Sequence, residues 1–459
     1  NEKKTVDGFY DGDGAYKVRF MPSFTDKYTF EIESSFDINA GEEVPEHKLG
    51  IADGGKEAEK CAVRNMLTGS FTVTSPSEDN HGPVRVAGTY YLSYEDGTPY
   101  HCIGTTCYVW NLQNEELQKQ TLKTLEENAF NKIRFCIFPK HYDYNLHEPI
   151  TYPYEGTPCD SSVLNESNFA EYNGCAPGND WDFTRFNPAH FQHIEKCIQA
   201  LMNLGIEADL IVMHPYDRWG FSMMKAEDDD RYWKYVLARF SAYRNVWWSL
   251  ANEYDLMHEK TLSDWERYAG IICEKDPYHH LRSIHNCKAY YDYNLPWITH
   301  CSIQRTETYR SSELVNEWRE KYHKPVILDE ICYEGNIQFG WGNISGEEMT
   351  RRFWEAFCRG GYPGHGETYL SPDRILWWSH GGVLHGTSPD RIRFLAKIME
   401  ETPGLGVEPM PCKWDEVACR AAGFPARKDY FIYYYSFMRP GFRDFYFDDA
   451  TEYQVEVID

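Results

Sequence analysis

The hydrophobic pattern of the chain changes twice, and each change marks a predicted domain boundary. Residues 1–78 carry short alternating segments between Gly- and Pro-containing turns, which predicts an N-terminal β-sandwich. Residues 79–402 carry near-continuous apolar strands that alternate with amphipathic helices. Residues 403–459 return to strand-like runs, DYFIYYYSF, FRDFYF and YQVEVID, and predict a short C-terminal β domain. The pattern leaves open whether the two flanking domains are complete.

The central region predicts an α/β fold, a (β/α)8 TIM barrel, because strands buried on both faces read as continuous apolar runs. Asn187 and Pro188 begin the clearest helix and Gly205 ends it, while Ser345 and Glu348 form a capping box for another. A doubly wound open sheet is the alternative, but no G-x-G-x-x-G follows the first strand. The eight candidate strands are 101–107, 132–138, 208–214, 245–251, 281–286, 298–304, 325–331 and 374–380.

Composition narrows the classes of partner. The 459 residues carry a formal net charge of −25, which disfavours nucleic acid and anionic membranes as ligands. The 14 cysteines are scattered without a C-x-x-C pair, so we expect a reducing compartment, the cytoplasm, with a disulfide between Cys159 and Cys175 left open. Aromatic residues make up 16% of the chain, which is consistent with rings that stack on sugars and equally with an aromatic core. Homo-oligomerisation stays open.

Two glutamates end strands that face each other across the predicted barrel mouth. Barrel active sites are built at the C-terminal ends of the strands. Glu253 ends strand four and Glu330 ends strand seven. Two carboxyl groups about 5–5.5 Å apart cleave a glycosidic bond with retention, one as nucleophile and one as acid/base. A lone glutamate there would be a surface carboxylate or an ion-pair partner, so the prediction depends on the pair. Asp329 is the alternative to Glu330, because alternation turns only one of them into the mouth.

Other strand ends and loops carry side chains suited to binding a substrate. The tryptophans offer rings for stacking on sugars, although each of them could pack in the core instead. A metal-dependent barrel hydrolase that uses His214, His285 and Asp217 is a rival prediction, with His380 as a further strand-end histidine. A metal site needs three or more convergent ligands, and strand one lacks the His-x-His of zinc barrels, so we predict no metal. The substrate-binding candidates are Asn252, Arg134, His214, His285, Trp377, Trp378 and Trp110.

Two segments resemble the signature of glycoside hydrolase clan A. WSLANEYD (248–255) places Asn-Glu after strand four, and KPVILDEICYEG (324–335) places a second Glu after strand seven. That clan includes family 5 cellulase- and mannanase-like enzymes, β-galactosidases and family 39 xylosidases. The wider layout, with DGTPYHCIGTTCYVW and ADLIVMHPYDRWGFS, resembles a group of bacterial clan A proteins with an N-terminal sandwich and a short C-terminal β domain. Apiosidase-like hydrolases are relatives of that group.

The resemblance implies a retaining glycoside hydrolase that acts on oligosaccharides or glycosides without a cofactor. It implies that Glu253 is the acid/base and Glu330 the nucleophile. It further implies that Asn252 binds the hydroxyl next to the anomeric carbon, and that Arg134 keeps the nucleophile ionised. The chain departs from the clan at the end of strand six, where the clan often has a Tyr that contacts the nucleophile and this chain has Gln304 and Arg305. A carbohydrate-binding protein without turnover is a second rival prediction.

Overall fold

The barrel is an eight-stranded parallel sheet. The computed structural model describes residues 3–34, 65–307, 310–411, 416–422, 429–447 and 452–458. When the barrel strands are numbered in chain order, neighbouring strands are hydrogen-bonded in the order five-four-three-two-one-eight-seven-six. A parallel bridge between His285 and Ser302 joins strand five to strand six. The (β/α)8 TIM barrel predicted from the sequence is therefore confirmed. In chain order, its strands are Gly104–Thr106, Lys132–Cys136, Glu207–Met213, Val246–Ala251, Arg282–Ser283, Cys301–Gln304, Val326–Glu330 and Tyr362–His365.

Helices cover the outside of the barrel. The helix predicted from Asn187 is confirmed, because the Asn187 side chain accepts a hydrogen bond from the amide of Ala189. Ser345 likewise accepts from the amide of Glu348 at 3.2 Å. Residues 284–300, all of which the structure describes, contain no helix, so strands five and six are joined by a loop. The described helices are Glu115–Glu126, Pro188–Asn203, Ala226–Phe240, Leu262–Lys275, Val315–Tyr322, Gly346–Cys358, Trp377–His380 and Ser388–Glu401.

Strand eight is Tyr362–His365, so the prediction of a strand at 374–380 is wrong. That segment instead contains the short helix Trp377–His380, which packs on the barrel wall. The true strand has the sequence YPGH and lacks a run of large apolar residues. A Cβ at Gly364 would lie 2.7 Å from the carbonyl oxygen of Leu328, so glycine permits the close approach of strands seven and eight.

The N-terminal end of the barrel is filled. A hairpin of Val84–Ala87 and Tyr91–Tyr94 packs an apolar cluster against the starts of the barrel strands. Above that cluster, the Lys132 ammonium lies 2.8 Å from an Asp209 carboxylate oxygen and 2.6 Å from one of Asp329. Apolar contacts and these ion pairs occupy the lower interior, which leaves the C-terminal end for the substrate.

Antiparallel strands flank the barrel on both sides in sequence. The predicted strands in FRDFYF and YQVEVID are not formed in the described residues 441–447 and 452–458, although rings such as Phe445 pack against Tyr433. The domain divisions at 1–78, 79–402 and 403–459 stay a prediction. Before the barrel, Gly8–Tyr10 pairs with Tyr16–Val18, and Lys27–Ser34 pairs with Asn65–Thr72. After it, Val407–Pro409, Val417–Ala421 and Phe431–Tyr434 form a three-stranded sheet. Two further pairs lie between barrel strands: Tyr154–Thr157 with Asp180–Phe186, which is antiparallel, and Glu334–Gly335 with Glu367–Thr368, which is parallel.

Two further observations concern the cysteines and the helices. All twelve cysteines in the described ranges are free thiols, including Cys159 and Cys175, so the alternative disulfide is not formed. Among the helices that the structure describes, none combines the length and the apolar character that crossing a membrane requires.

Candidate active site

Glu253 and Glu330 both lie at the C-terminal end of the barrel. Glu330 is the last residue of strand seven, and Glu253 comes two residues after strand four. Both residues are buried, with 7% of the surface of Glu330 and 6% of that of Glu253 exposed. Glu253 has a left-handed backbone, with φ 50° and ψ 56°, a conformation that is uncommon for non-glycine residues. The bend sends the chain away from the barrel, and the amide of Tyr254 donates to His285 O at 2.9 Å.

The Glu330 carboxylate is surrounded by groups that stabilise its negative charge. The Tyr108 hydroxyl donates a hydrogen bond to Oε1. His285 Nε2 and Arg134 Nη1 lie 3.3 Å and 3.4 Å from the same oxygen. Burial alone would raise the pKa of Glu330, but His285, Arg134 and Tyr108 outweigh it and lower the pKa to about 2. Glu330 is therefore ionised throughout the neutral range.

The hydrogen-bond partners of Glu253 are all uncharged, and the Lys140 ammonium acts on it only through its charge. The Tyr216 hydroxyl donates to Oε2, Gln304 Nε2 donates to Oε1 at 2.9 Å, and Asn252 Nδ2 lies 3.2 Å from Oε2. Burial raises the pKa of Glu253, and the charge of Glu330 raises it further, against the opposing effect of these hydrogen bonds. The pair therefore consists of one carboxylate and one carboxyl group that retains its proton more readily.

Asn252 links the two carboxyl groups. Its Oδ1 accepts from Arg134 Nη2 and from the Tyr108 hydroxyl, both at 3.2 Å, while its Nδ2 points to Glu253. Three partners fix the orientation of the amide. Asn252 thus contacts Glu253, and Arg134 contacts both Asn252 and Glu330.

Asp329 belongs to a different layer of the barrel. Its carboxylate accepts from Lys132 Nζ at 2.6 Å and from Ser302 Oγ at 2.5 Å, below the mouth. Burial raises its pKa, but Lys132 and Arg134 outweigh that effect and keep the pKa well below the usual range. The pairing of strands six and seven shifts register between Ser302 and Gln304, just before the pair formed by Gln304 and Glu330. The structure thus places Glu330, and not Asp329, beside the partners of Glu253.

A lysine surrounded by aromatic rings completes the mouth. Lys140 Nζ lies 3.5 Å from the ring centroid of Tyr108, 4.3 Å from that of Tyr216 and 4.5 Å from that of Trp378. These are cation–π distances. Burial lowers the pKa of Lys140 to about 8. The ammonium is thus adjacent to both tyrosines that donate to the two glutamates.

The remaining predicted residues have different fates. Trp378 packs edge-on against Tyr108 beside Lys140, whereas Trp377 is in the main core. Trp110 is fully buried against Phe135, so its predicted contact with a sugar is incompatible with its position. We therefore correct that prediction: the residue follows strand one but turns into the layer between barrel and helices.

The strand-end histidines do not converge. His285 contacts Ser302, Gln304 and Glu330, which makes it a partner of the carboxylate rather than a ligand for substrate. His214 lies 3.4 Å from a backbone carbonyl oxygen, and His380 lies in the short helix Trp377–His380. In the described ranges, neither His214, His285 nor His380 belongs to a group of three ligating atoms. The carboxylate of Asp217 accepts hydrogen bonds from the backbone amides of Trp219 and Ser222.

Sequence reasoning missed four of the contacting residues. Tyr108 follows strand one by two residues, Tyr216 follows strand three by three, Lys140 follows strand two by four, and Gln304 ends strand six. Their positions at strand ends were the available signal. Tyr108, which follows strand one, supplies a hydroxyl that contacts Glu330.

Comparison with known proteins assigns the family. A model of the apiosidase-like catalytic domain matches residues 87–394. The chain belongs to the apiosidase-like family. Residues 1–35 and 414–459 match two domains of unknown function, DUF5060 and DUF5605. No curated protein matches the chain. The family assignment confirms the resemblance drawn from WSLANEYD and KPVILDEICYEG.

Solved structures agree with the apiosidase-like assignment. A candidate glycoside hydrolase from Bacteroides vulgatus ATCC 8482 is 39% identical, with a TM-score of 0.77 over 91% of this chain and 77% of that one. A family 5 glycoside hydrolase from the same strain is 16% identical, with a TM-score of 0.56 over 74% of this chain and 79% of the other. The first similarity supports the family, and the second shows the shared fold alone.

Proposed function

We propose that this apiosidase-like chain is a retaining glycoside hydrolase that cleaves O-glycosidic bonds of oligosaccharides or glycosides. The observation that carries the proposal is the contrast between the two buried glutamates. Tyr108, Arg134 and His285 hold Glu330 ionised, while Glu253 has only neutral donors and a raised pKa. A double displacement needs this combination of a nucleophilic carboxylate and a protonated acid.

In the first step, a Glu330 carboxylate oxygen attacks the anomeric carbon and the bond to the leaving oxygen breaks. The proton of Glu253 passes to that leaving oxygen, so that the products are a glycosyl ester on Glu330 and an ionised Glu253. Because the ester carries no charge, one of the two effects that raise the pKa of Glu253 disappears. Glu253 is then a competent base for the second step.

In the second step, Glu253 takes a proton from water and the water oxygen attacks the anomeric carbon. The ester bond breaks, and Glu330 leaves as a carboxylate that Tyr108 and Arg134 again stabilise. The sugar departs with its original anomeric configuration. Asn252, fixed by Arg134 and Tyr108, is positioned to bind a hydroxyl next to the reacting carbon. This sequence of steps uses the chain's own residues and requires no cofactor.

A glycoside panel with variants tests the proposal. The purified protein is screened on 4-nitrophenyl glycosides and oligosaccharides, and proton NMR follows the anomeric configuration of the first product. We expect retention, loss of activity in Glu330→Ala and Glu253→Ala, and rescue of Glu330→Ala by azide with inverted product. Glu166→Gln, an exposed carboxylate of the loop after strand two, is the control and should match the wild type. Inversion, or undiminished activity of both variants, would overturn the assignment.

A further inference from the structure

Three potential metal ligands meet outside the catalytic pair. One carboxylate oxygen of Glu334, one of Glu367 and one ring nitrogen of His365 lie within 4.8 Å of one another. All three residues are at most 1% exposed. Glu334 follows strand seven, His365 ends strand eight and Glu367 comes two residues later. None of them contributes to the partners of Glu253 and Glu330 described above.

The two carboxylates lack a cationic partner. Glu367 accepts from the amides of His385 and Gly386, and Glu334 accepts from those of Thr387 and Ser388. No lysine or arginine of the described residues contacts either carboxylate. Buried charges are normally paired or bound to a metal, because removing them from water is costly.

His365 supplies a neutral nitrogen with no partner. Its Nδ1 lies 3.2 Å from Thr105 Oγ1, while its Nε2 is buried and has no hydrogen-bond partner. The tautomer that donates from Nδ1 to Thr105 leaves a lone pair on Nε2. A neutral imidazole of this kind is a common metal ligand, and buried nitrogens without partners are rare.

The outer contacts resemble those that orient metal ligands. Ligating histidines usually donate their second ring N–H to an oxygen, and ligating carboxylates are themselves hydrogen-bonded. Here Thr105 meets His365, and Trp377 Nε1 in turn donates to Thr105 Oγ1 at 2.8 Å. Backbone amides hold both carboxylates in place, as described above.

We propose that Glu334, His365 and Glu367 bind one divalent transition-metal ion of the Zn²⁺ class. One nitrogen and two oxygen donors suit zinc, whereas Ca²⁺ and Mg²⁺ prefer oxygen alone. Tetrahedral ligands about 2.0–2.1 Å from zinc lie roughly 3.3 Å from one another, so the three side chains need to close by about 1.5 Å at most. The fourth position is left to water.

The role of this ion is structural. It joins the segment after strand seven, which begins four residues beyond Glu330, to the segment after strand eight. Through the amides of residues 385–388 it also fixes the start of the helix Ser388–Glu401. The connection between strand eight and this helix carries Trp378, which lines the mouth. The ion therefore holds two loops of the substrate face together and takes no part in the chemistry.

Metal uptake tests the site without any substrate. The full chain is stripped with a chelator, equilibrated with Zn²⁺ and desalted, and its zinc is measured by mass spectrometry. We expect about one equivalent per chain and a melting temperature about 3 °C higher at 100 times the Kd. Glu367→Gln, which keeps the shape of the side chain, should weaken binding about 10- to 100-fold. Glu207→Gln, another buried glutamate, whose carboxylate accepts from Trp247 Nε1 outside the cluster, is the matched control and should bind as the wild type does.

Replacement of zinc by Co²⁺ gives a readout on the unmutated protein. Intense visible bands typical of tetrahedral cobalt are expected for the wild type and weaker bands for His365→Ala. The proposal is wrong if the stripped wild type takes up no zinc and gives no such bands. It is equally wrong if Glu367→Gln and Glu207→Gln bind zinc with the same affinity. Neither result bears on the retaining mechanism, because none of these measurements uses catalysis.

Discussion

Replacement of Lys140 by methionine should make the protein more stable and less active. Methionine retains the length of the side chain and removes the charge. Lys140 is 3% exposed, its ammonium lies among aromatic rings, and within the described residues none of its N–H groups has a hydrogen-bond acceptor. Such a group is costly to the folded state, and its donors are left for the oxygens of a substrate. We therefore expect Lys140→Met to raise KM for whichever glycoside the panel identifies.

The size of the stability effect follows from the pKa of Lys140. Burial lowers it from 10.5 to about 8, and one pKa step corresponds to about 1.4 kcal/mol, so the protonated side chain costs the folded state roughly 3 kcal/mol at pH 7. Attraction to the rings of Tyr108, Tyr216 and Trp378 returns about 1–2 kcal/mol. Lys140→Met should therefore be about 1–2 kcal/mol more stable than the wild type at pH 7.

The pH dependence of unfolding tests independently whether Lys140→Met is more stable than the wild type for the reason given. Between pH 8 and 10.5 the folded state has released the Lys140 proton and the unfolded chain has not, so the stability of the wild type rises there relative to the variant. Urea unfolding of both proteins at pH 7 and at pH 10 measures this. The advantage of Lys140→Met should shrink at pH 10. A variant less stable than the wild type at pH 7, or a difference that does not change with pH, would refute the reasoning.

Three further outcomes follow from the site. Tyr108→Phe should lower kcat/KM about 10- to 100-fold, because a hydrogen bond to a charged group contributes about 1.5–3 kcal/mol. The acid limb of its pH–rate profile should move to higher pH, and an unshifted limb would contradict the contact with Glu330. Glu253→Gln should slow alkyl glycosides about 100- to 10,000-fold and the burst phase of activated aryl glycosides much less; equal slowing would remove its role as the acid. Asp329→Asn should lower the free energy of unfolding by about 3–5 kcal/mol, because Lys132 loses a buried partner; urea unfolding measures the loss, and a value near zero would show that this ion pair contributes nothing.

Much of the barrel could be predicted because its strands are buried on both faces. Runs such as ADLIVMH and NVWWSLA are mostly apolar at both odd and even positions, and this continuous pattern identifies strands three and four. Strand eight escaped prediction because Gly364 and Pro363 replace large side chains where neighbouring backbones come close. The apolar run RILWWSH was misleading because a segment packed on the barrel wall is as apolar as one within it.

The two catalytic candidates were predictable because each directly follows a recognisable strand. Their partners were not, since Tyr108, Tyr216 and Lys140 reach the glutamates only through the path of loops that follow three different strands. Trp110 was misplaced for the same reason. The cluster of Glu334, His365 and Glu367 escaped notice because its members are separated in sequence and no spacing pattern connects them.

The left-handed backbone at Glu253 has a consequence for laboratory evolution. Glycine or asparagine would occupy φ 50° with less strain than glutamate does. A library selected only for heat resistance would thus enrich Glu253→Gly together with Lys140→Met, and its most robust members would be inert. Thermostable catalysts of this fold therefore have to be found by screening turnover after heating, because survival and catalysis favour different residues at the same two positions.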